Sequence, residues 1–96
     1  MLEHITKQII SSYSPEKILL FGSQAKGISS PHSDIDLCVV ATTSNKRKLL
    51  TEMYYSIESE KPIDILLYTP QEWDECIADK TSFAYKINHE GVRLYG

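Results

Sequence analysis

The chain has 96 residues, of which 42% are hydrophobic and 24% charged, and its formal net charge is −3. This length predicts a single domain over residues 1–96 with one modest core. No apolar run approaches the roughly 18 residues that a membrane span requires, and the first residues lack the pattern of a signal peptide, so we expect a cytoplasmic protein with no membrane partner. The negative charge argues against a protein that holds long nucleic acid by neutralising phosphates.

The first half of the chain predicts one helix followed by two strands. Apolar residues recur at steps of three and four from Leu2 to Tyr13, which indicates an amphipathic helix, and Ser14 with Pro15 ends it. The short apolar run 17–21 predicts a strand covered on both faces. Residues 34–40 predict a second strand, and we expect the two strands to be antiparallel neighbours.

The second half predicts a helix over 44–60, a strand over 62–69, helices over 70–91 and a short edge strand at the end. Thr69, Pro70 and Glu72 form the pattern of a capping box at a helix start. The helix that begins there is expected to break near Lys80, resume at Ser82 and end at Gly91. This order of elements predicts an α/β fold with a small mixed β-sheet flanked by helices.

A Gly-Ser pair, Gly22 and Ser23, directly follows the first predicted strand. Glycine allows a positive φ and a close approach of backbone to phosphate, and the residues after it can form one helical turn. Ser23 adds a hydroxyl donor and Lys26 adds a positive charge. By itself the pair indicates a plain turn more often than a phosphate site, since a turn is the commoner role of such residues.

Two aspartates, Asp34 and Asp36, open the second predicted strand, and Asp64 lies in the otherwise apolar third strand. Side chains two residues apart on a strand point to the same face, so Asp34 and Asp36 face the same side. Clustered carboxylates are costly unless cations neutralise them, and hard oxygen ligands suit Mg²⁺, with room for two ions. Taken singly, each aspartate could equally be a polar strand end. Asp64 joins the pair only if the strands are adjacent.

The residues Gly22, Ser23, Asp34, Asp36 and Asp64 together resemble the minimal nucleotidyltransferases of the DNA polymerase β superfamily. That family carries a Gly-Ser pair, a downstream Asp-x-Asp and a third Asp on a later strand. The segments GSQAKG and SDIDL also match the family pattern, and the resemblance extends over nearly the whole chain. It implies a polymerase β-like fold and transfer of a nucleoside monophosphate from ATP or another NTP to a hydroxyl, with loss of pyrophosphate.

The same resemblance implies a role for each residue of the motif. Gly22 and Ser23 would hold the β- and γ-phosphates. Asp34 and Asp36 would bind both Mg²⁺ ions, and Asp64 would bind the catalytic ion and help to deprotonate the attacking hydroxyl. Lys26 stands where many relatives have Arg, which retains the charge and loses the two-pronged grip on phosphate.

The resemblance further implies an antitoxin whose partner is a helical HEPN toxin, with a toxin tyrosine as the acceptor, in a hetero-oligomer. This hypothesis leaves the acceptor to a second chain. Two alternatives stay open: a non-catalytic antitoxin that masks its partner by contact, and an antibiotic-type enzyme that modifies a small molecule. The three costly carboxylates argue against the first alternative, and the short chain argues against the second.

We interpret the cysteines, most of the histidines and the aromatic residues as structural or surface residues. Cys38 and Cys76 are predicted to be small core residues, without a zinc site or a disulfide. Of the three histidines, only His32 could face a nucleotide, and His4 and His89 are expected at the surface. The aromatic residues of the later helices are expected in the core, with a partner surface as the alternative; they are Tyr54, Tyr55, Trp73, Phe83 and Tyr85.

Overall fold

The fold is a four-stranded mixed sheet with helices on both faces, as seen in a computed structural model that describes residues 2–27 and 34–96. His32, the histidine that could face a nucleotide according to the sequence, lies outside these residues. The elements in chain order are α1 (Leu2–Tyr13), β1 (Lys17–Phe21), α2 (Gly22–Ala25), β2 (Ile35–Val40), α3 (Lys46–Ser56), β3 (Ile63–Tyr68), α4 (Pro70–Ile77), α5 (Phe83–Glu90) and β4 (Val92–Tyr95). The α/β prediction is confirmed.

The strands lie in the order β3-β2-β1-β4. β1 pairs with β2 in antiparallel orientation, as predicted, and β4 is an antiparallel edge strand beside β1. β2 and β3 are parallel neighbours because α3 carries the chain back between them. The adjacency of β2 and β3 is the feature on which the role of Asp64 depends.

The two faces of the sheet have separate cores. On one face, α1 and α3 cover the sheet through buried Ile5, Ile9 and Met53. On the other face, α4 and α5 cover it through buried Trp73, Ala84 and Ile87, together with Cys38 and other strand residues. Alternating strand residues supply each core, as the pleat of the sheet requires.

The helix ends follow the capping signals of the sequence. The Thr69 side chain accepts a hydrogen bond from the Glu72 N–H at 3.2 Å, and Glu72 Oε1 accepts one from the Thr69 N–H at 2.9 Å, which confirms the capping box. α4 ends at Ile77, and α5 restarts with Ser82 as its N-cap and ends before Gly91. The predicted interruption near Lys80 is therefore confirmed.

The third helix is shorter than the predicted span of 44–60. Asn45 caps its N-terminus by accepting from the Lys48 N–H, and Ile57 already has an extended backbone. The hydrogen bonds that Gln8 of α1 makes with the backbone of Glu58, two at 2.9 Å, hold the following residues in a non-helical path. A contact with a distant helix thus ends α3, which periodicity could not predict.

The aromatic residues divide between core and surface. Trp73 is buried as predicted, but Tyr54, Tyr55 and Phe83 are exposed, so their prediction as core residues is wrong. The Tyr54 hydroxyl instead accepts a hydrogen bond from the Ile65 N–H of β3 at 2.6 Å. Cys38 is buried, whereas Cys76 is only half-buried. None of the helices in the described ranges has the length and apolar character needed to cross a bilayer.

Candidate active site

Three side chains lie in a row across the α4/α5 face of the sheet. Phe21 of β1 pairs with Asp36 of β2, and Asp36 pairs with Asp64 of β3. Paired residues on adjacent strands project to the same face, and adjacent strands are about 4.8 Å apart. The fold therefore places Asp36 and Asp64 side by side, although 28 residues of sequence separate them.

Gly22 closes the row at the end of β1. Its φ of +73° lies in the left-handed region, which favours glycine. A Cβ at this position would overlap the Asp36 carboxylate, since it would lie only 3.2 Å from Asp36 Cγ and closer still to Oδ2. The backbone thus passes directly over the carboxylate, and only glycine permits this approach.

Ser23 and Lys26 lie on the helical turn that Gly22 starts. The turn α2 has no side-chain cap at its N-terminus, and helix geometry leaves the first backbone N–H groups without intrahelical partners. Ser23 is half-buried next to Gly22, and Lys26 is exposed at the C-terminal end of the turn. Donors and a cation therefore flank the carboxylate row on its β1 side.

Asp34 lies just outside β2, which begins at Ile35, so the predicted strand start is one residue too early. The Asp34 side chain is exposed. Its negative charge contributes to raising the pKa of Asp36, after burial and the charge of Asp64. Asp34 is therefore close enough to act on Asp36 electrostatically, but it is not part of the paired row.

The electrostatics of Asp36 are those of a crowded anionic site. Burial raises the pKa of its carboxyl above the usual value, and the neighbouring charges of Asp64 and Asp34 raise it further. A divalent cation would relieve this repulsion, and oxygen ligands are the type that hard cations bind. Within residues 2–27 and 34–96, however, no three His, Cys, Asp or Glu side chains are gathered around a common ion position. The carboxylate chemistry fits a cation, and Asp36 and Asp64 are the paired residues that could hold one.

A cavity of about 180 Å³ adjoins this site between α2 and α5. Its α2 side is lined by Gly22 and Lys26, which the sequence predicts as nucleotide-binding residues. Its α5 side is lined by Phe83, Lys86 and Glu90, for which the sequence predicts no nucleotide-binding role. The spacing of these last three residues, at steps of three and four on one helix, places them on one face. That signal is present in the sequence, but the docking of this face against α2 is not.

Comparison with known protein families gives a match over nearly the whole chain. Residues 3–96 match the family model described as "Polymerase beta, Nucleotidyltransferase". The chain belongs to this nucleotidyltransferase family. Divalent metal ions are typical of its members, and an NTP is the substrate that the fold implies.

One similar structure is the crystal structure of a protein from Sulfolobus solfataricus described as a "putative nucleotidyltransferase". It shares 21% sequence identity with this chain and has a TM-score of 0.63. The alignment covers 97% of this chain and 75% of that one, and it supports the polymerase β-like fold. No curated protein sequence matches the chain.

Proposed function

We propose that the protein is a Mg²⁺-dependent nucleotidyltransferase that moves AMP from ATP to a hydroxyl group, with a tyrosine of a cognate HEPN toxin as the acceptor. The observation that carries the proposal is the pairing of Asp36 with Asp64 directly beneath Gly22. Three distant segments of the chain meet there, and each supplies the residue type that nucleotidyl transfer requires. Membership of the nucleotidyltransferase family supports the same reaction class.

The β1 side of the site is suited to the triphosphate. Glycine at position 22 adds no side chain of its own that would keep a phosphate away from the backbone, and Ser23 supplies a hydroxyl donor. Lys26 is an exposed cation that can pair with phosphate oxygens. These three residues would bind the β- and γ-phosphates and leave the α-phosphate over the carboxylates.

Asp36 and Asp64 would be the paired ligands of the Mg²⁺ ions, and Asp34, exposed just before β2, would assist them from outside the pair. When bound, such ions neutralise phosphate charge and increase the electrophilicity of the α-phosphorus. Because Asp36 lies under Gly22 and Asp64 lies one strand farther away, Asp36 is the ligand nearer to the triphosphate. Asp64 is the ligand nearer to the acceptor.

The reaction exchanges one phosphorus–oxygen bond for another. The acceptor hydroxyl oxygen forms a bond to the α-phosphorus, and the bond between the α-phosphorus and the bridging oxygen to the β-phosphate breaks. Pyrophosphate leaves with that bonding pair of electrons. The hydroxyl proton passes to the exposed Asp64 carboxylate and from there to solvent.

The acceptor is proposed to be a protein because of the resemblance to minimal nucleotidyltransferase antitoxins and because of the charge of the chain. A net charge of −3 disfavours a grip on RNA and favours encounter with a basic protein. The exposed Asp64 side of the row leaves room for a tyrosine from a second chain. A hetero-oligomer of the two chains would place that tyrosine at the site.

Labelled ATP tests the proposal. The protein is incubated with α-labelled ATP, Mg²⁺ and one of three acceptors: the product of the neighbouring gene, total RNA or a mixture of aminoglycosides. We expect label on a tyrosine of the neighbouring protein, lost with Asp36→Asn and retained with Asp74→Asn, an exposed acid of α4 outside the site.

Each other outcome excludes part of the proposal. Label on RNA or on the aminoglycosides alone would overturn the protein acceptor. If the Asp36→Asn variant neutralises the toxin as well as the wild type does, without labelling it, the result would favour the non-catalytic antitoxin. No transfer to any acceptor, together with no Mg²⁺-dependent ATP binding, would overturn the assignment of the site.

A further inference from the structure

The cavity between α2 and α5 combines apolar walls with charged side chains at its rim. The wall residues are Phe21, Ala25, Phe83 and Ile87, and the rim residues are Lys26, Lys86 and Glu90. The rings of Phe21 and Phe83 meet edge to face at a centroid distance of 5.5 Å. Phe83 is nevertheless 51% exposed, so part of an aromatic surface faces outward.

The cavity adjoins the carboxylate row through two residues, although neither Asp36 nor Asp64 lines it. Phe21 is both a cavity wall and the cross-strand partner of Asp36. Gly22 lines the cavity and also lies against the Asp36 carboxylate. A molecule whose phosphates lie at Gly22 is therefore next to the cavity.

The size of the cavity limits what it can hold. At about 180 Å³ it is smaller than the roughly 300–1,000 Å³ of pockets that enclose a drug-sized ligand. It therefore suits one flat ring system and not a whole nucleotide. Edges of aromatic rings and apolar walls favour a π-system, since stacking and edge contacts both stabilise aromatic pairs.

The charges at the rim restrict the occupant further. Lys26 and Lys86 place two cations beside an apolar opening, in a chain that is negative overall. An aliphatic anchor residue of a protein partner would gain little from these cations. A nucleotide would gain more, because its base is aromatic and its phosphates are anionic.

We propose that this cavity binds the base of the nucleoside triphosphate, with the α-phosphate over Asp36 and the β- and γ-phosphates folded back onto Gly22 and Ser23. This inference rests on the proposed function. Phe83 contacts the face or edge of the base, and Lys86 joins Lys26 in neutralising the phosphates. The Glu90 carboxylate can only accept hydrogen bonds when ionised, so it favours adenine, which offers the N6 amino group, over uracil, whose only base donor, N3–H, lies between two carbonyl oxygens that repel a carboxylate.

The test compares nucleotides with inorganic tripolyphosphate, which has phosphates and no base. Affinities for ATP, UTP and tripolyphosphate are measured in Mg²⁺ by calorimetry for the wild type, Phe83→Ala and Glu90→Ala. Both substituted residues are exposed, so the variants are expected to fold. Tyr55→Ala is the matched control, since Tyr55 is a 94% exposed aromatic residue of α3, a helix on the opposite face of the sheet.

We expect Phe83→Ala to weaken ATP binding about tenfold, within the range of a lost base–aromatic contact, and to leave tripolyphosphate binding unchanged. Glu90→Ala should reduce the preference for ATP over UTP, and Tyr55→Ala should change nothing. If Phe83→Ala weakens binding of a protein partner but retains its affinity for ATP, the cavity belongs to that partner and the inference is overturned. Equal ATP affinity in the wild type and Phe83→Ala would also overturn it.

The two proposals fail in distinguishable ways. If tripolyphosphate binds the wild type with Mg²⁺ but ATP binds no more tightly, the phosphate site stands and the base pocket is excluded. If neither ligand binds, the proposed function itself fails and the base pocket fails with it.

Discussion

Gly22 is the residue on which the geometry of the site depends most directly. It has a left-handed backbone and lies closer to the Asp36 carboxylate than any side chain would allow. Gly27, a few residues later, has nearly the same φ, +71°, but among residues 2–27 and 34–96 no atom lies within 4 Å of the position of its Cβ. A substitution at Gly27 therefore tests the cost of the left-handed backbone alone, whereas one at Gly22 tests this cost together with overlap with Asp36.

We predict that Gly22→Ala lowers the free energy of unfolding by about 2 kcal/mol or more and also weakens ATP binding in Mg²⁺. The left-handed backbone alone costs roughly 1–2 kcal/mol in a residue with a Cβ, and displacement of Asp36 adds to this cost. Urea unfolding and calorimetry provide the two measurements. Gly27→Ala should show the backbone cost without loss of ATP affinity, and equal effects of the two variants would argue against the close approach at Gly22.

Asp64→Asn tests the division of roles within the carboxylate row. We expect nucleotide affinity to remain largely intact, since Asp36 lies nearer to Gly22, and transfer to fall by about 100-fold or more, on the scale of a lost general base. Single-turnover transfer of labelled AMP and a separate binding titration distinguish the two quantities. Turnover equal to that of the Asp74→Asn control would contradict the role of Asp64.

How far the site could be predicted depends on how local each residue's signal is. Gly22, Ser23, Asp34 and Asp36 lie within one short segment, so spacing alone marks them. Asp64 could be suggested only as an acid in an apolar strand, and its pairing with Asp36 required the parallel register of β2 and β3. The residues on the α5 side of the cavity could not be predicted, because sequence does not reveal which helix face docks where.

Among the elements, α4 has the most completely determined start. Glu72 of its capping box also forms an ion pair with Lys46, whose Nζ lies 3.0 Å from Glu72 Oε1, and this pair links α4 to the first residue of α3. The hydrogen bond from the Thr69 N–H, followed by that from Lys46, lowers the pKa of the Glu72 carboxyl. The ionised carboxylate is therefore the form that the folded state prefers.

The sign of the resulting pH dependence follows from this lowered pKa. The stabilisation is present above the carboxyl's unfolded pKa of 4.5 and is lost as the pH falls through the lower folded value. We predict that stability falls less on acidification from about pH 6 to about pH 3 in Glu72→Gln than in the wild type. Glu75→Gln, in the same helix and outside the box, should behave as the wild type does. Parallel acid dependence of all three proteins would contradict the prediction.

Tyr54 shows how an edge strand can alter the interpretation of a helix. Its position on the apolar stripe of α3 predicts a core residue, but its hydroxyl binds the Ile65 N–H on the outer edge of β3. Unpaired N–H groups of an edge strand invite pairing with other chains. The tyrosine therefore lies partly exposed because it covers a backbone donor, a role that helical periodicity does not reveal.

At the scale of the whole molecule, stability is limited by the small size of the two cores. A domain of this length has a free energy of unfolding of about 5–14 kcal/mol. Met53 is fully buried between α3 and the sheet, so we predict that Met53→Ala costs about 2–5 kcal/mol in urea unfolding. Tyr55→Ala, two positions away and exposed, should stay within about 0.5 kcal/mol of the wild type. Similar losses in both variants would contradict the assignment of this core.

The order of elements could be predicted for the whole molecule because each element carries its own local signals. The apolar runs marked the strands, and Thr69, Ser82 and Gly91 marked helix ends. The strand order and the end of α3 could not be predicted, because they depend on contacts between distant segments, such as that of Gln8 with Glu58. The long-range pairing of β2 with β3 is the part of the fold that creates the site.

The single tryptophan of the chain gives the α4/α5 layer an optical signal of its own. Trp73 is 1% exposed, and its indole meets the Tyr68 ring at 5.4 Å, on the sheet face that also carries Asp36. An indole in such an apolar setting emits at shorter wavelength than one in water. Binding or denaturant that separates α4 from the sheet should therefore shift the emission to the red, whereas loosening of α1 and α3 alone should leave it unchanged. Fluorescence can thus show which of the two helix layers responds first.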